Sequence, residues 1–306
     1  MSIAEARRVR FVGPVAIVVS AVALALPLVS MIHRPAGAPT DYEVELTRTQ
    51  GGLAEVDRGA TATRLLHRRY RVAILTGSPA DLRAVDAAID RAIQDVGPLA
   101  DLYLLKASVD LRLHRLDAAD RDLAALSRFA GNAQIVAMKA SLAFQRGEYA
   151  AAQAGYRRAI ETNPTWDNLA RLAYWEAKFG DPELADRLYE QAQAEVSADD
   201  KRSYAWVALE RGLLEFNRGR YARATTHYEQ AAKAYSGYWL VDEHLAELLG
   251  AERKFDQAVA LYERVIARAP RPEFQQALGD LLRVMGRDAQ AKPWHDRALA
   301  GYRESA

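Results

Sequence analysis

From about residue 100 to the end of the chain, small, apolar and aromatic residues return in one register. The first small position falls at Ala107, Ala140, Ala173, Gly212, Ala246 and Gly279, at spacings of 33, 33, 39, 34 and 33 residues. A second keeps step twelve residues later, at Ala119, Ala152, Ala185, Ala224, Ala258 and Ala291. Repetition at this period marks helical hairpins stacked into a solenoid, because one hairpin alone cannot bury its apolar face.

Two antiparallel helices approach closely only where a small residue on one admits a bulky residue from the other. Tyr156, Tyr189, Tyr228 and Tyr262 are therefore expected beside Ala140, Ala173, Gly212 and Ala246. Gly147, Gly180, Gly219 and Gly286 fall where each hairpin must turn. The unit from Ala100 to Gly131 is weaker, with Leu123 at the aromatic position and His114 at the turn. At the far end His295 replaces the aromatic. The 39-residue interval places about five extra residues around Val196 to Arg202, which either lengthen a helix or loop out.

The N-terminal pattern is different. Phe11 to Ile32 is a run of 22 residues without a charge, preceded by Arg7, Arg8 and Arg10. A helix of that length reaches roughly 33 Å, enough to cross a hydrocarbon core of about 30 Å. The arginines ahead of it favour a cytoplasmic N-terminus and an exported body. Ala36-Gly37-Ala38 resembles a cleavage site, but Pro39 would follow it directly, and the apolar run is long for a signal peptide, which favours an uncleaved anchor. The expected organisation is a basic N-terminus (1–10), a transmembrane helix (11–32), a Pro-, Gly- and Thr-rich linker (33–52), a degenerate leading hairpin (53–98) and a solenoid of about six repeats (99–306). In the leading hairpin one helix is expected over Leu53 to Leu75, and a second capped by Ser78 and Pro79.

Composition narrows the chemistry. With 41 basic against 40 acidic residues the net charge is +1, so no global field draws the chain to nucleic acid. Absence of cysteine excludes disulfides, thiolate metal sites and a thiol nucleophile. The chain carries no phosphate-binding loop, dinucleotide fingerprint, serine nucleophile elbow or H-E-x-x-H helix. Glu243, His244 and Glu247 share one helical turn but read as a charged, solvated face. Neither catalysis, a cofactor nor a metal is expected.

Ala140, Gly147, Tyr149, Ala152, Tyr156, Ala159 and Pro164 occupy the positions of a tetratricopeptide repeat, and the following units repeat the set. Roughly residues 100 to 306 resemble that superfamily, in its N-terminally membrane-anchored envelope form. The resemblance implies an all-α, right-handed superhelical solenoid of antiparallel helix pairs preceded by one transmembrane helix. It also implies binding of a protein or peptide in the inner curve. Carried onto this chain, the inner-curve positions are Ser141 and Phe144, Ala170 and Tyr174, Leu209, Leu213 and Phe216 with Trp206 one turn earlier, Glu243 and Glu247, and Gln276, Asp280 and Arg283. The centre is apolar and aromatic and the C-terminal end acidic and mixed, suiting a peptide with a central apolar anchor and a basic or amide-rich flank. The expected role is a noncatalytic scaffold or adaptor at the exported face of a bacterial inner membrane, in envelope protein assembly or quality control. An alternative is a stable accessory subunit of an integral-membrane complex, with Gly13, Ala16, Ser20 and Ala23 letting the span pack closely. An enzyme is the remote alternative.

Overall fold

Where the repeat lacks side-chain bulk, a ring fills the space: a Cβ added at Gly212 would run into Tyr228, and one at Gly279 into His295. The computed structural model describes residues 38–56, 62–127, 129 and 133–305, and among these the chain is entirely helical apart from its connections. Three helices lead: α1 (Asp41–Val56), α2 (Ala62–Thr76) and α3 (Pro79–Val96). Six antiparallel pairs follow: α4 (Ala100–Arg112) with α5 (Leu116–Leu126), α6 (Ala133–Gln145) with α7 (Tyr149–Thr162), and α8 (Trp166–Phe179) with α9 (Pro182–Glu195). Then come α10 (Lys201–Asn217) with α11 (Tyr221–Ala234), α12 (Trp239–Ala251) with α13 (Phe255–Arg268), and α14 (Pro272–Val284) with α15 (Asp288–Ser305). The basic N-terminus 1–10 and the expected span 11–32 lie outside the described residues. Among the described residues no helix is long and apolar enough to cross a membrane.

The small–aromatic register runs through the core of the four middle pairs, with Leu123 and His295 standing at the ring position in the first and last. Tyr189 and Tyr228 are among the largest fully buried side chains, and Ala107, Ala119, Ala152, Ala173, Ala185, Ala224, Ala246 and Ala258 are fully buried as well. Five of the six turns share one device. The residue after the C-cap takes a positive φ, at His114, Gly147, Gly219, Arg253 and Gly286. The next N–H then reaches back five residues, from Arg115 to Asp110, Glu148 to Ala143, Arg220 to Glu215, Lys254 to Leu249 and Arg287 to Leu282, at 2.8–2.9 Å. The turn at Gly180 is different: its φ is −123°, and Asp181 caps α9 by accepting from Glu183 N–H, with Pro182 in the first turn. Glycine is required there because a Cβ would strike the Glu176 carboxylate.

Two departures from the expected organisation reshape the inner curve. The stretched interval is shared between loop and helix: 196–200 form a connection, and α10 then runs 17 residues from Lys201, with Asp200 as N-cap accepting from Ser203 N–H. The linker expected over 33–52 gives way to α1 from Asp41. Thr40 and Glu43 form a reciprocal capping box, Thr40 N–H donating to Glu43 Oε2 (2.8 Å) and Glu43 N–H to Thr40 Oγ1 (3.2 Å). The helix expected over Leu53 to Leu75 is divided between the end of α1 and α2, while α3 has Ser78 as N-cap and Pro79 in its first turn.

α1 and α2 reach across the curve of the solenoid. Trp239 Nε1–H at the start of α12 donates to Leu75 O at the end of α2 (3.0 Å), a contact 164 residues apart in sequence. Tyr42 N–H donates to Ser236 O (3.1 Å), and Tyr42 is 4% exposed. Tyr42 and Leu75 thereby join one core cluster with Tyr228, Trp239 and Phe274.

Candidate functional site on the inner curve

The C-terminal ends of the first helices carry aromatics that the core does not absorb. Phe144 is ringed by Tyr149, Tyr174 and Phe179, at centroid distances of 5.8, 5.6 and 5.9 Å, and Tyr149 lies 4.1 Å from Phe179. Tyr149, Tyr174 and Phe179 are 42%, 36% and 49% exposed. The next repeat extends the row with Phe216 against Tyr221 at 5.5 Å. Two exposed rings two residues past the turn, Tyr149 and Tyr221, thus project from the second helix toward the first helix of the same pair.

Beside this row a cavity of about 180 Å³ opens between α8 and α10, lined by Tyr174, Lys178, Pro182, Glu210, Leu213 and Arg218. Lys178 Nζ sits 5.4 Å from the Tyr174 ring centroid. Tyr189 OH donates to Glu210 Oε2 at 3.4 Å. Burial pushes the Glu210 carboxyl up, with the charges of His244 and Lys178 and the Tyr189 hydrogen bond opposing. The site therefore offers an apolar slot lined by Lys178, by Arg218 in its ion pair with Glu183, and by the Glu210 carboxyl.

Toward the C-terminus the floor turns polar. His244 Nδ1 lies 3.3 Å from both Glu243 and Glu247, and its ring stacks on buried Tyr228 at 6.1 Å. Burial works against the imidazolium, but the Glu247 hydrogen bond and the charges of Glu243, Glu247 and Glu210 outweigh it, so the His244 pKa is raised. Burial likewise raises the Glu243 carboxyl. Further on, Asp280 pairs with His295 (3.0 Å), and Arg283 stands 4.0 Å from Asp288 along a shallow cleft shared with Val284.

The inner-curve residues named from sequence do not all meet. Phe144 and Tyr174 share the aromatic cluster, Tyr174 and Leu213 the cavity, and Phe216 continues the row. Trp206 packs against Trp166 instead, at 6.2 Å. Leu209, expected on the open face, is instead 1% exposed and belongs to the core cluster that also holds Tyr228, Tyr42 and Leu75, so it has no free surface for a partner. Glu243 and Glu247 sit together, and Asp280 and Arg283 form a separate end.

Two features lie outside the small–aromatic register. Asp110, Glu176 and Glu215 are 1%, 3% and 1% exposed, each three residues after a small position. Each carboxylate meets arginine from the turn or the second helix: Arg115 with Asp110 (2.8 Å), Arg157 with Glu176 (3.6 Å), Arg220 and Arg223 with Glu215 (3.6 and 3.4 Å). The signal was present as an acid recurring in an apolar stripe. In the first repeat Asp122 adds a second buried carboxyl, pushed up to about 7 by burial and by its hydrogen bond with Asp110. The other missed feature is the corner of Lys201, Arg202 and Tyr235–Gly237, where α1 is held; its partners lie about 160–195 residues away in sequence.

The fold is a tetratricopeptide-like helical repeat. A chain of the APC/C hetero-tetramer Cut9-Hcn1 superposes with a TM-score of 0.64 at 15% identity, over 85% of this chain; this chain spans about half (50%) of that one's length. The type IV pilus biogenesis factor PilW gives a TM-score of 0.55 at 14% identity, over 66% of this chain and 93% of PilW. A tetratricopeptide repeat protein from Parabacteroides merdae gives 0.53 at 17% identity, over 85% and 93%. No protein-family model matches the chain, and no curated protein sequence does.

Proposed function

We propose that this chain is a noncatalytic scaffold that binds a protein or peptide partner along the inner curve, through the aromatic row and the α8–α10 cavity. One observation carries the reading: Tyr149, Tyr174 and Phe179 form a contiguous exposed aromatic cluster beside a cavity lined by Tyr174, Lys178, Leu213 and Arg218. Rings clustered next to a slot are the anchors that interfaces concentrate their energy in. The mouth of the slot suits an apolar side chain followed by a carboxylate, which Lys178 would meet, Arg218 being paired already with Glu183. Among the structural neighbours, Cut9-Hcn1 is a hetero-tetramer and PilW a pilus biogenesis factor, roles consistent with a fold used for assembly.

The same proposal puts the scaffold at the exported face of a bacterial inner membrane, anchored by residues 11–32. Its support is the uncharged run and the arginines before it. A photo-crosslinking residue at 174 tests the groove, with one at Glu190 on the outer face of α9 as control. Adducts at 174 support the reading, and adducts from 190 alone overturn it. A reporter fused after Ala306 tests the topology, and activity restricted to the cytoplasm refutes it.

A second reading, the stable accessory subunit, is favoured by the apolar side chains of α14 and α15, where Val284 and Leu299 are 72% and 50% exposed. Purification in mild detergent separates the two: a stoichiometric complex supports the subunit, a lone chain the adaptor.

A further inference from the structure

The repeat places no helix where α1 lies, yet the corner that holds α1 is built in detail. Asp41 Oδ2 accepts from Ser236 N–H (3.0 Å) and from Ser236 Oγ (2.6 Å), while Asp41 N–H donates back to Ser236 Oγ (3.0 Å). One turn on, Glu45 Oε2 accepts from Tyr235 OH (2.6 Å), and Glu45 Oε1 faces Arg202 Nε at 3.4 Å. Lys201 Nζ stands 3.5 Å from Asp41 Oδ1. Thr40 lies so close over Gly237 (φ +75°) that a Cβ there would collide with it. The corner thus reads three things in sequence: a carboxylate at the helix N-terminus, a buried ring at Tyr42, and a second carboxylate three residues later.

The seat and its occupant are unequal. Lys201 and Arg202 belong to the first turn of α10, in the stretch that lengthens the 39-residue interval. Tyr235 is 3% exposed, fixed at the α11–α12 corner. α1 itself contains Thr47, Thr49, Gly51 and Gly52, residues that weaken a helix and leave one of this length marginal alone. Beside the buried ring of Tyr42 its ties are polar, and Lys201 is 59% exposed in its ion pair, so water and salt compete with that pair.

We propose that this corner is a recognition site for an acidic helical segment of a partner protein, of the pattern Asp-aromatic-x-x-Glu, and that α1 is the resident occupant such a segment displaces. The proposal rests on the protein-binding reading but uses a different surface, so crosslinks at Tyr174 and occupancy of this corner succeed or fail separately. The occupant's chemistry is set by the charge complementarity α1 displays: two cations, a phenol donor and an N–H with a hydroxyl beside it, all facing carboxylates.

The test uses the full chain and a labelled peptide of residues 38–56. In the variant D41A/E45A the seat is vacated, and the peptide is expected to bind it at least about tenfold more tightly than wild type, because an occupied seat lowers apparent affinity by its free fraction. Adding R202E is expected to abolish that binding. Equal binding to wild type and D41A/E45A, or binding to neither while circular dichroism shows both folded, overturns the proposal. Should the variant not fold, hydrogen exchange on the wild-type chain decides: α1 amides exchanging much faster than those of α11 and α12 support displacement, and equal protection overturns it. A concentration-dependent wild-type dimer that D41A/E45A abolishes would assign the seat to a second copy and likewise overturn it.

Discussion

The two edges of the inner curve are finished in opposite ways. Along the edge where first helices begin, Trp239 is 5% exposed, its indole N–H is bound to Leu75 O, and Arg271 lies over its ring at 5.6 Å. Along the edge where first helices end, Tyr149, Tyr174 and Phe179 stand exposed. Both edges carry large aromatics. Stacking buries the faces between repeats but leaves the edges unspecified, and this chain covers one with its own α1 and α2 and none of its described residues cover the other. On the proposed reading, a partner surface is marked by what the described residues leave uncovered rather than by aromatic content.

Removing the ring that closes the covered edge is the most forceful test of this contrast. Trp239→Ala is expected to cost about 3–5 kcal/mol, read as a lower urea midpoint, because it empties a buried site and leaves the Leu75 carbonyl without its donor. A loss below about 1 kcal/mol would mean that the closure is not part of the stable fold. The pH dependence of stability comes next, and it belongs to the interior between the edges. In the unfolded chain Asp122 titrates near 3.8, while in the fold it holds its proton to about 7. Stability is therefore expected to fall as pH rises from about 4 to about 7 and to level off above. Asp122→Asn, which keeps the shape and a donor for Asp110, should flatten that slope and raise the melting temperature at pH 8; an unchanged slope would locate the titration elsewhere.

At the open edge the expectation reverses. Tyr174→Ala should shift stability by no more than about 1 kcal/mol while reducing partner capture at least about tenfold, measured by pull-down with the crosslinked partner. Equal capture would remove Tyr174 from the interface. The smallest effect is Lys201→Ala, expected to change global stability by less than about 0.5 kcal/mol because the pair is exposed. Its signature is local instead: faster hydrogen exchange in α1 alone.

The repeat itself was legible because it is a local steric rule written many times. Gly212 against Tyr228 needs only a helix period and a neighbour to be anticipated. Turns were legible where glycine marked them, less so where His114 and Arg253 take the same positive φ, since the backbone pattern there is set by the hydrogen bond from Arg115 to Asp110 and from Lys254 to Leu249. α1 was misread because Pro, Gly and Thr dominated its approach, although Thr40-x-x-Glu43 is a capping box. Of the inner-curve residues, Phe144, Tyr174, Leu213 and Phe216 lie where repeat position puts them. Leu209 lies in the core cluster that also takes in Tyr42 and Leu75, and no periodicity reports that helices so far ahead in sequence join this core.

The contact between Asp41 and Ser236 also sets how the molecule bears load. A solenoid pulled at its ends extends as springs in series, each hairpin yielding against its neighbour. While α1 keeps its seat, a pull applied at Pro39 passes through three hydrogen bonds to the α11–α12 corner and bypasses the four pairs from α4 to α11. Those pairs act as a braced ring with little strain to share, and only the hairpins beyond α12 remain an elastic arm.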